Sequence, residues 1–329
     1  MNWLGDAVFS SSVFKALKEN FPQAKISCLA HPRIKEILEC IPQIDEIIIY
    51  DEDKKHRSPL KKLKLIGKLR EKKFDAAFLL HRSLTRALLV FLSGIPVRVG
   101  YDEKGRGFLL THKTPPADSN IHRGDHYLNV VESYGVKVKD RKPKLVLDEK
   151  SNREAQEILK EHGIASHEPF LVVNTGGNWD LKRWPKENFK LLFDHLKNRQ
   201  EKIVISGSEN DRAQIQEIVK GLDVRPIVLA GKTSLKQLAA LFSKARCVIS
   251  ADSGPLHLAG SVGTPVIGLF GPTRPELTGP RGRGQSLIIQ NDVGCNRQAC
   301  YHLSCKDNIC MKSITINQVM EALDNALKA

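Results

Sequence analysis

Asp252, Ser253, Gly254, Pro255 and His257 fall within six positions of one another. They follow a short β-rich apolar run, Cys247-Val248-Ile249-Ser250, which reads as a buried strand. Leu256-His257-Leu258-Ala259-Gly260 restarts at helical spacing, with Pro255 suited to the first turn. Such a turn lies at the carboxyl end of a parallel strand, where open α/β sheets bind ligands. The free N–H groups of the helix that follows form an anion site, and the small Ser253 and Gly254 let a phosphate approach the backbone. Capping by Asp252 or Ser253 is the plain structural alternative. Capping does not call for Asp, Ser, Gly, Pro and His together. A second candidate is the turn Thr175-Gly176-Gly177, with Lys182-Arg183-Trp184-Pro185 behind it. Paired glycines let backbone N–H groups converge on a phosphate. A lysine beside them puts positive charge where a leaving diphosphate accumulates negative charge. Glu209, in the turn after the strand Lys202–Ser206, is a candidate ribose partner or part of a helix cap. Asp6, just ahead of a helix over Ala7–Asn20, is at least an acid favoured by the helix dipole.

D-S-G-P-x-H-x-A, followed by G-T-P-V-I-x-L-F-G-P-T and ending at Thr273, resembles the nucleotide-sugar domain of the heptosyltransferases. These enzymes are the glycosyltransferase family (family 9) that builds the lipopolysaccharide inner core. K-R-W-P at Lys182–Pro185 resembles their second donor motif. N-W-L-G-D-A-V at Asn2–Val8 resembles the first loop of the family's heptosyltransferase II group. The resemblance implies an α/β protein of the GT-B arrangement, two Rossmann-like domains with parallel sheets facing a cleft. It implies inverting transfer of L-glycero-D-manno-heptose from ADP-heptose to the heptosylated Kdo–lipid A core. A sister enzyme with another acceptor or sugar is the alternative. Asp6 is then the base that takes the acceptor proton, and Asn2, Trp3 and Gly5 face the acceptor. Lys182 meets the leaving ADP. Thr175, Gly176, Glu209, Asp252, Ser253, Gly254, Pro255 and His257 complete the donor site. No D-x-D clamp stands beside the donor motifs, so no cofactor is expected to be required, with Mg2+ the alternative.

The elements that must position these groups alternate in type. Strands are predicted at Lys25–Leu29, Glu46–Tyr50, Phe74–Leu80 and Val97–Tyr101, with helices between them. Gly105–Pro116 has no pattern and is expected to be a loop near the acceptor. His122–Gly135 is an amphipathic helix stopped by glycine. Leu145–Leu147 is read as a short strand and Ser151–His162 as a helix, and the domain boundary is placed at 148/149. The second domain repeats the alternation from Phe170–Asn174 onward and ends in the helix Thr315–Ala329. In the family an apolar strand precedes the first-loop motif. It is missing from this sequence, so a native start upstream is expected.

Net charge is +14, which favours an anionic partner. Much of it lies in Lys61–Lys73, a basic amphipathic helix expected to pack on its domain or to touch an anionic inner membrane surface. Aromatic residues are 6% of the chain and do not alternate with the basic ones, which argues against stacking on single-stranded nucleic acid. A basic nucleic-acid-binding protein would explain the charge, but no recognition motif supports it. No G-x-G-x-x-G follows the first strand, against a nucleotide-sugar epimerase or dehydrogenase. With no signal peptide and no apolar run of membrane length, a cytoplasmic monomer is expected. Cys295, Cys300, Cys305 and Cys310 step at a fixed interval with His302 among them, suggesting reduced buried thiols or, alternatively, a structural metal.

Overall fold

The computed structural model describes residues 2–177, 179–295, 300 and 305–328. The chain divides into two compact units, Met1–Pro143 and Lys144–Ala329, five residues from the expected boundary at 148/149. No helix among the described residues is long and apolar enough to cross a membrane.

In the first unit the order is α1 (Leu4–Asn20), β1 (Ser27–Ala30), α2 (Lys35–Leu38), β2 (Glu46–Ile49), α3 (Pro59–Glu71), β3 (Ala76–Leu79), α4 (Leu84–Leu92), β4 (Val97–Tyr101), β5 (His112–Thr114) and α5 (Arg123–Glu132). Pairing is parallel throughout, but the strands form two separate pieces, β1–β2 and β3–β4–β5. A cavity of about 480 Å3 is lined by α1 through Val13, Phe14 and Leu17, by β1 through Cys28, and by β3 through Phe78. α1 is buried almost all round, including Ser10, Ser11 and Ser12. Each of these hydroxyls donates to a carbonyl three residues back, a bond made inside the helix. β5 falls inside the stretch expected to be patternless. His-Lys-Thr carries no apolar alternation, and the strand is placed by pairing with β4 and by side-chain contacts such as Thr114 with Ser133.

The second unit runs α6 (Glu149–Glu161), β6 (Phe170–Asn174), α7 (Lys186–Leu196), β7 (Lys202–Ser206), α8 (Arg212–Val219), β8 (Ile227–Val228), α9 (Leu235–Lys244), β9 (Cys247–Ala251), α10 (Gly254–Ser261), β10 (Val266–Leu269), α11 (Pro275–Thr278), β11 (Ser286–Ile289), α12 (Ile309–Lys312) and α13 (Ile316–Lys328). Its sheet is parallel with order β11-β10-β9-β6-β7-β8. Every residue of β6, β9 and β10 is buried, as near-continuous apolar runs require. Chain order reverses between β6 and β9, so a crevice opens at their carboxyl ends. Leu145–Leu147 is not a strand: among the described residues no strand lies beside it to pair with, and Leu145 N–H instead donates to the Ser261 carbonyl. β11, unmarked in the sequence because it is half exposed at the sheet edge, pairs with β10.

Trp184 anchors the turn ahead of α7. Its ring is 1% exposed, lies edge-on to Phe189 at 5.2 Å, and its Nε1–H donates to the Ile314 carbonyl at 3.1 Å. Trp184→Ala is expected to cost about 3–5 kcal/mol, read as a lowered urea midpoint with unchanged far-UV circular dichroism under native conditions.

Candidate active site

The carboxyl ends of β6 and β9 bring the donor candidates together. Asp252 is 4% exposed. Its Oδ2 accepts from Lys182 Nζ at 2.6 Å and from Thr273 Oγ1 at 2.7 Å, while Oδ1 faces His257 Nε2 at 3.5 Å. Burial alone would raise the Asp252 carboxyl. The hydrogen bond and charge of His257, then Lys182, outweigh it and hold the group well below the usual carboxylate range. Asp252 is therefore an anion at neutral pH. It is not a helix cap: Ser253, in the N-cap position of α10, is extended at φ −150° and makes no side-chain cap bond. The Ser253 hydroxyl turns instead to Ser250 Oγ at 3.0 Å, and Asn174 Nδ2 donates to Ser250 Oγ and to the Gly176 carbonyl, both at 3.1 Å. Asn174 also accepts from Ser206 Oγ. One amide side chain thus fixes the ends of β6, β7 and β9 and leaves the N-terminal amides of α10 directed toward the crevice.

Thr175 is 2% exposed, and its hydroxyl has no hydrogen-bond partner among the described residues. An unpaired buried hydroxyl costs about 1–3 kcal/mol, and a phosphate oxygen at this position would satisfy it. Gly176 is required sterically, because a Cβ there would lie 2.4 Å from Asp211 Oδ2. Asp211 accepts from Ser208 N–H at 2.8 Å and from Arg183 Nη2 at 3.1 Å, and Arg183 Nε donates to the Gly177 carbonyl at 3.0 Å. Arg183 and Asp211 therefore hold the glycine turn in shape. Sequence reading missed both roles, although Arg183 stands inside K-R-W-P. Lys182 lies with its ammonium 5.6 Å from the Trp179 ring centroid. Glu209 stands apart from the Lys182–Asp252 group. Its carboxylate is mostly exposed, pairs with Arg212 at 2.8 Å, and lies against Gly231, whose φ of +70° suits glycine. The cap at this turn is made by Ser208 with Asp211, not by Glu209.

In the first unit, Asp6 sits in the first turn of α1 and its Oδ1 accepts from Tyr127 Oη at 2.7 Å. Burial, then the Asp6 charge, raises the Tyr127 phenol well above its ordinary range, so it remains a donor to Asp6. His81 is pushed down to about 4 by burial and then by Arg86, and is neutral at pH 7. Asn2 Nδ2 donates to Glu52 Oε1 at 2.7 Å, and Arg86 Nη2 donates to Asn2 Oδ1 at 2.5 Å and to Glu52 at 3.0 Å. Trp3 is half exposed, with the Arg33 guanidinium 5.2 Å from its ring centroid. Gly5 lies within α1. Tyr127, His81, Arg86 and Glu52 carried no sequence signal of a shared site.

The four tail cysteines are free and partly buried. Cys300 and Cys305 lie near enough to Cys310 to raise its thiol further after burial. Among the described residues, the His, Cys, Asp and Glu side chains that bring three ligand atoms within 4.8 Å are His31, Asp51 and Asp53, not the cysteines. His302 lies outside the described residues. At His31 the Arg33 guanidinium already binds Asp53 at 3.2 Å.

The family model for glycosyltransferase family 9 (heptosyltransferase) matches residues 62–307. The chain belongs to glycosyltransferase family 9. It is a glycosyltransferase of the GT-B fold class, built from two Rossmann-like α/β units. Lipopolysaccharide heptosyltransferase 2 of Salmonella typhimurium is 28% identical over 342 aligned positions, covering 99% of this chain and 96% of the relative. The crystal structure of a family 9 glycosyltransferase from Veillonella parvula superimposes with a TM-score of 0.88 at 26% identity, over 98% of this chain and 94% of that one. The ADP-heptose lps heptosyltransferase II of E. coli gives 0.82 at 25% identity, over 99% and 96%.

Gly176→Ala pushes a methyl into Asp211 and disturbs the turn that carries Thr175. ADP affinity is expected to fall at least tenfold, measured by calorimetric titration, with the fold intact by circular dichroism.

Proposed function

We propose that this glycosyltransferase moves L-glycero-D-manno-heptose from ADP-heptose to the heptosylated Kdo–lipid A inner core of lipopolysaccharide, with inversion at the anomeric carbon. The observation that carries the reading is the Lys182–Asp252–Thr273 group beside the unpaired Thr175 hydroxyl at the β6/β9 crevice. A lysine ammonium, a buried threonine hydroxyl and a helix start are the kinds of group that suit a diphosphate. The relatives named for heptose transfer to lipopolysaccharide span nearly the whole chain.

An acceptor hydroxyl is a poor nucleophile at neutral pH. Asp6 takes its proton as the oxygen attacks the anomeric carbon, and the bond from that carbon to the ADP oxygen breaks. The Tyr127 hydroxyl holds one Asp6 oxygen, which orients the other toward the acceptor. Negative charge then gathers on the ADP diphosphate. Lys182, the α10 amides beginning at Gly254, and Thr175 receive it, and Pro255 fixes the first turn of that helix. Asp252 positions Lys182 and His257 and does not itself touch the donor phosphates, whose charge it would repel. Gly176 keeps the turn close, and Glu209 beside Gly231 offers its exposed carboxylate to the ribose. Asn2, Trp3 and Gly5 form the acceptor side. In this scheme protein groups carry the leaving-group charge, so no metal is required. The working form is a cytoplasmic monomer in peripheral contact with the anionic inner membrane surface, where its lipid-linked acceptor resides.

ADP release from ADP-heptose with heptosylated Kdo–lipid A tests the reading. Asp6→Asn is expected to lower kcat at least 100-fold with the donor KM little changed, and Lys182→Ala to lower kcat/KM by about 100-fold or more. Acceptor-independent release, or full activity in Asp6→Asn, contradicts it. Addition of EDTA is expected to leave the rate within twofold; abolition restored by Mg2+ would overturn the metal-free scheme.

A further inference from the structure

α4, LTRALLVFL, is apolar on both faces. Its inner face buries Ala87, Leu89 and Val90. Its outer face leaves Leu84, Leu88, Phe91 and Leu92 between 40% and 44% exposed. These four stand at i, i+4, i+7 and i+8, which is one stripe along the helix. A helix apolar all round is normally covered on all sides. Phe108, in the short 3-10 turn packed beside α4, is 77% exposed and extends the apolar surface.

The neighbour of this stripe supplies charge. α3 packs against α4, and Arg70 Nη2 donates to the Leu92 carbonyl at 2.8 Å. Residues 59–73 carry seven basic side chains against the single acid Glu71. Lys61, Lys62, Lys64 and Lys68 pair with no acidic side chain among the described residues, and Leu60 ahead of them and Leu63 among them are 72% and 59% exposed. The apolar stripe is also tied to the acceptor residues. Arg86, on the inner side of α4, is the group that bonds Asn2 and Glu52.

We propose that the outer face of α4, with Phe108 and the lysines of α3, docks on an anionic lipid bilayer. The Leu/Phe stripe enters the boundary of the acyl region, and the lysines meet headgroup phosphates. Charge selects this occupant over a second copy, because self-association through the face would bring two lysine-rich helices together. Docking here sets α4, and through Arg86 the Asn2 loop beside Asp6, at a fixed distance from the membrane. The proposal rests on the lipid-linked acceptor argued above for its role in catalysis, but vesicle binding is measured without donor or acceptor, so either can fail alone.

Sedimentation with phosphatidylcholine vesicles, with and without about a third phosphatidylglycerol, tests it at low and high salt. Wild-type protein is expected to bind the anionic vesicles, weakly or not at all the neutral ones, and less at high salt. Leu88→Ser/Phe91→Ser and, separately, Lys61→Glu/Lys64→Glu are each expected to reduce binding at least tenfold. All four side chains are exposed, and circular dichroism verifies the fold. With a deacylated acceptor, Leu88→Ser/Phe91→Ser is expected to turn over like wild type, while its KM for acylated acceptor in vesicles rises. Failure of wild type to bind anionic vesicles, or variants that bind as well as wild type, overturns the proposal. So does a wild-type dimer in vesicle-free gel filtration that Leu88→Ser/Phe91→Ser converts to monomer, since a second copy would then cover the face.

Discussion

A carboxylate with almost no water around it, Asp252, sets the terms for the second unit. Breaking a buried ion pair by removing one partner costs about 3–5 kcal/mol. Asp252 must therefore keep its cationic and hydroxyl partners, and those partners come from three separate places. Lys182 arrives from the turn before α7, Thr273 from the loop after β10, and His257 from the first turns of α10. The same requirement explains why Trp184 is buried so deeply. The side chain that carries the cation to Asp252 sits two residues before an aromatic anchor locked to the Ile314 carbonyl.

This arrangement also suits chemistry that ends with a diphosphate. Lys182 is the cation of the group, and its bond to Asp252 holds it in place. The reversal of strand order between β6 and β9 opens the crevice, and Asn174 and Ser250 close the polar accounting at its floor. Around it lie a buried hydroxyl with no partner among the described residues, a glycine turn and a helix start. All three favour oxygen-rich anions over neutral ligands.

The donor candidates could be named from the sequence because they come in contiguous runs. Asp252 to His257 and Thr175 to Lys182 each carry the glycine, proline and charge that a phosphate turn needs. Fully buried strands such as β6 and β9 were equally plain, since an apolar run of five residues between turns has few other readings. The supports were not legible. Tyr127 reaches Asp6 from 121 residues away, and Arg183 reaches Asp211 across 28. Nothing local marks either pair, because only the fold brings them together. Edge strands were lost for a different reason: His112–Thr114 and Ser286–Ile289 have one open side and need no apolar pattern. The short Leu145–Leu147 run misled in the opposite direction, being apolar without a strand to pair with. The basic helix was seen, but the exposed stripe on α4 was not, since a helix that is apolar on both faces looks in sequence like one that is simply buried.

The measurement that bears most directly on this account is a crystal structure of the protein with ADP-heptose. The account predicts the diphosphate at the carboxyl ends of β6 and β9, with oxygens within hydrogen-bonding distance of Thr175 Oγ1, Lys182 Nζ and the α10 N-terminal amides, and Asp252 still paired to Lys182. A diphosphate bound elsewhere, or one that leaves Lys182 and Thr175 untouched, would contradict it.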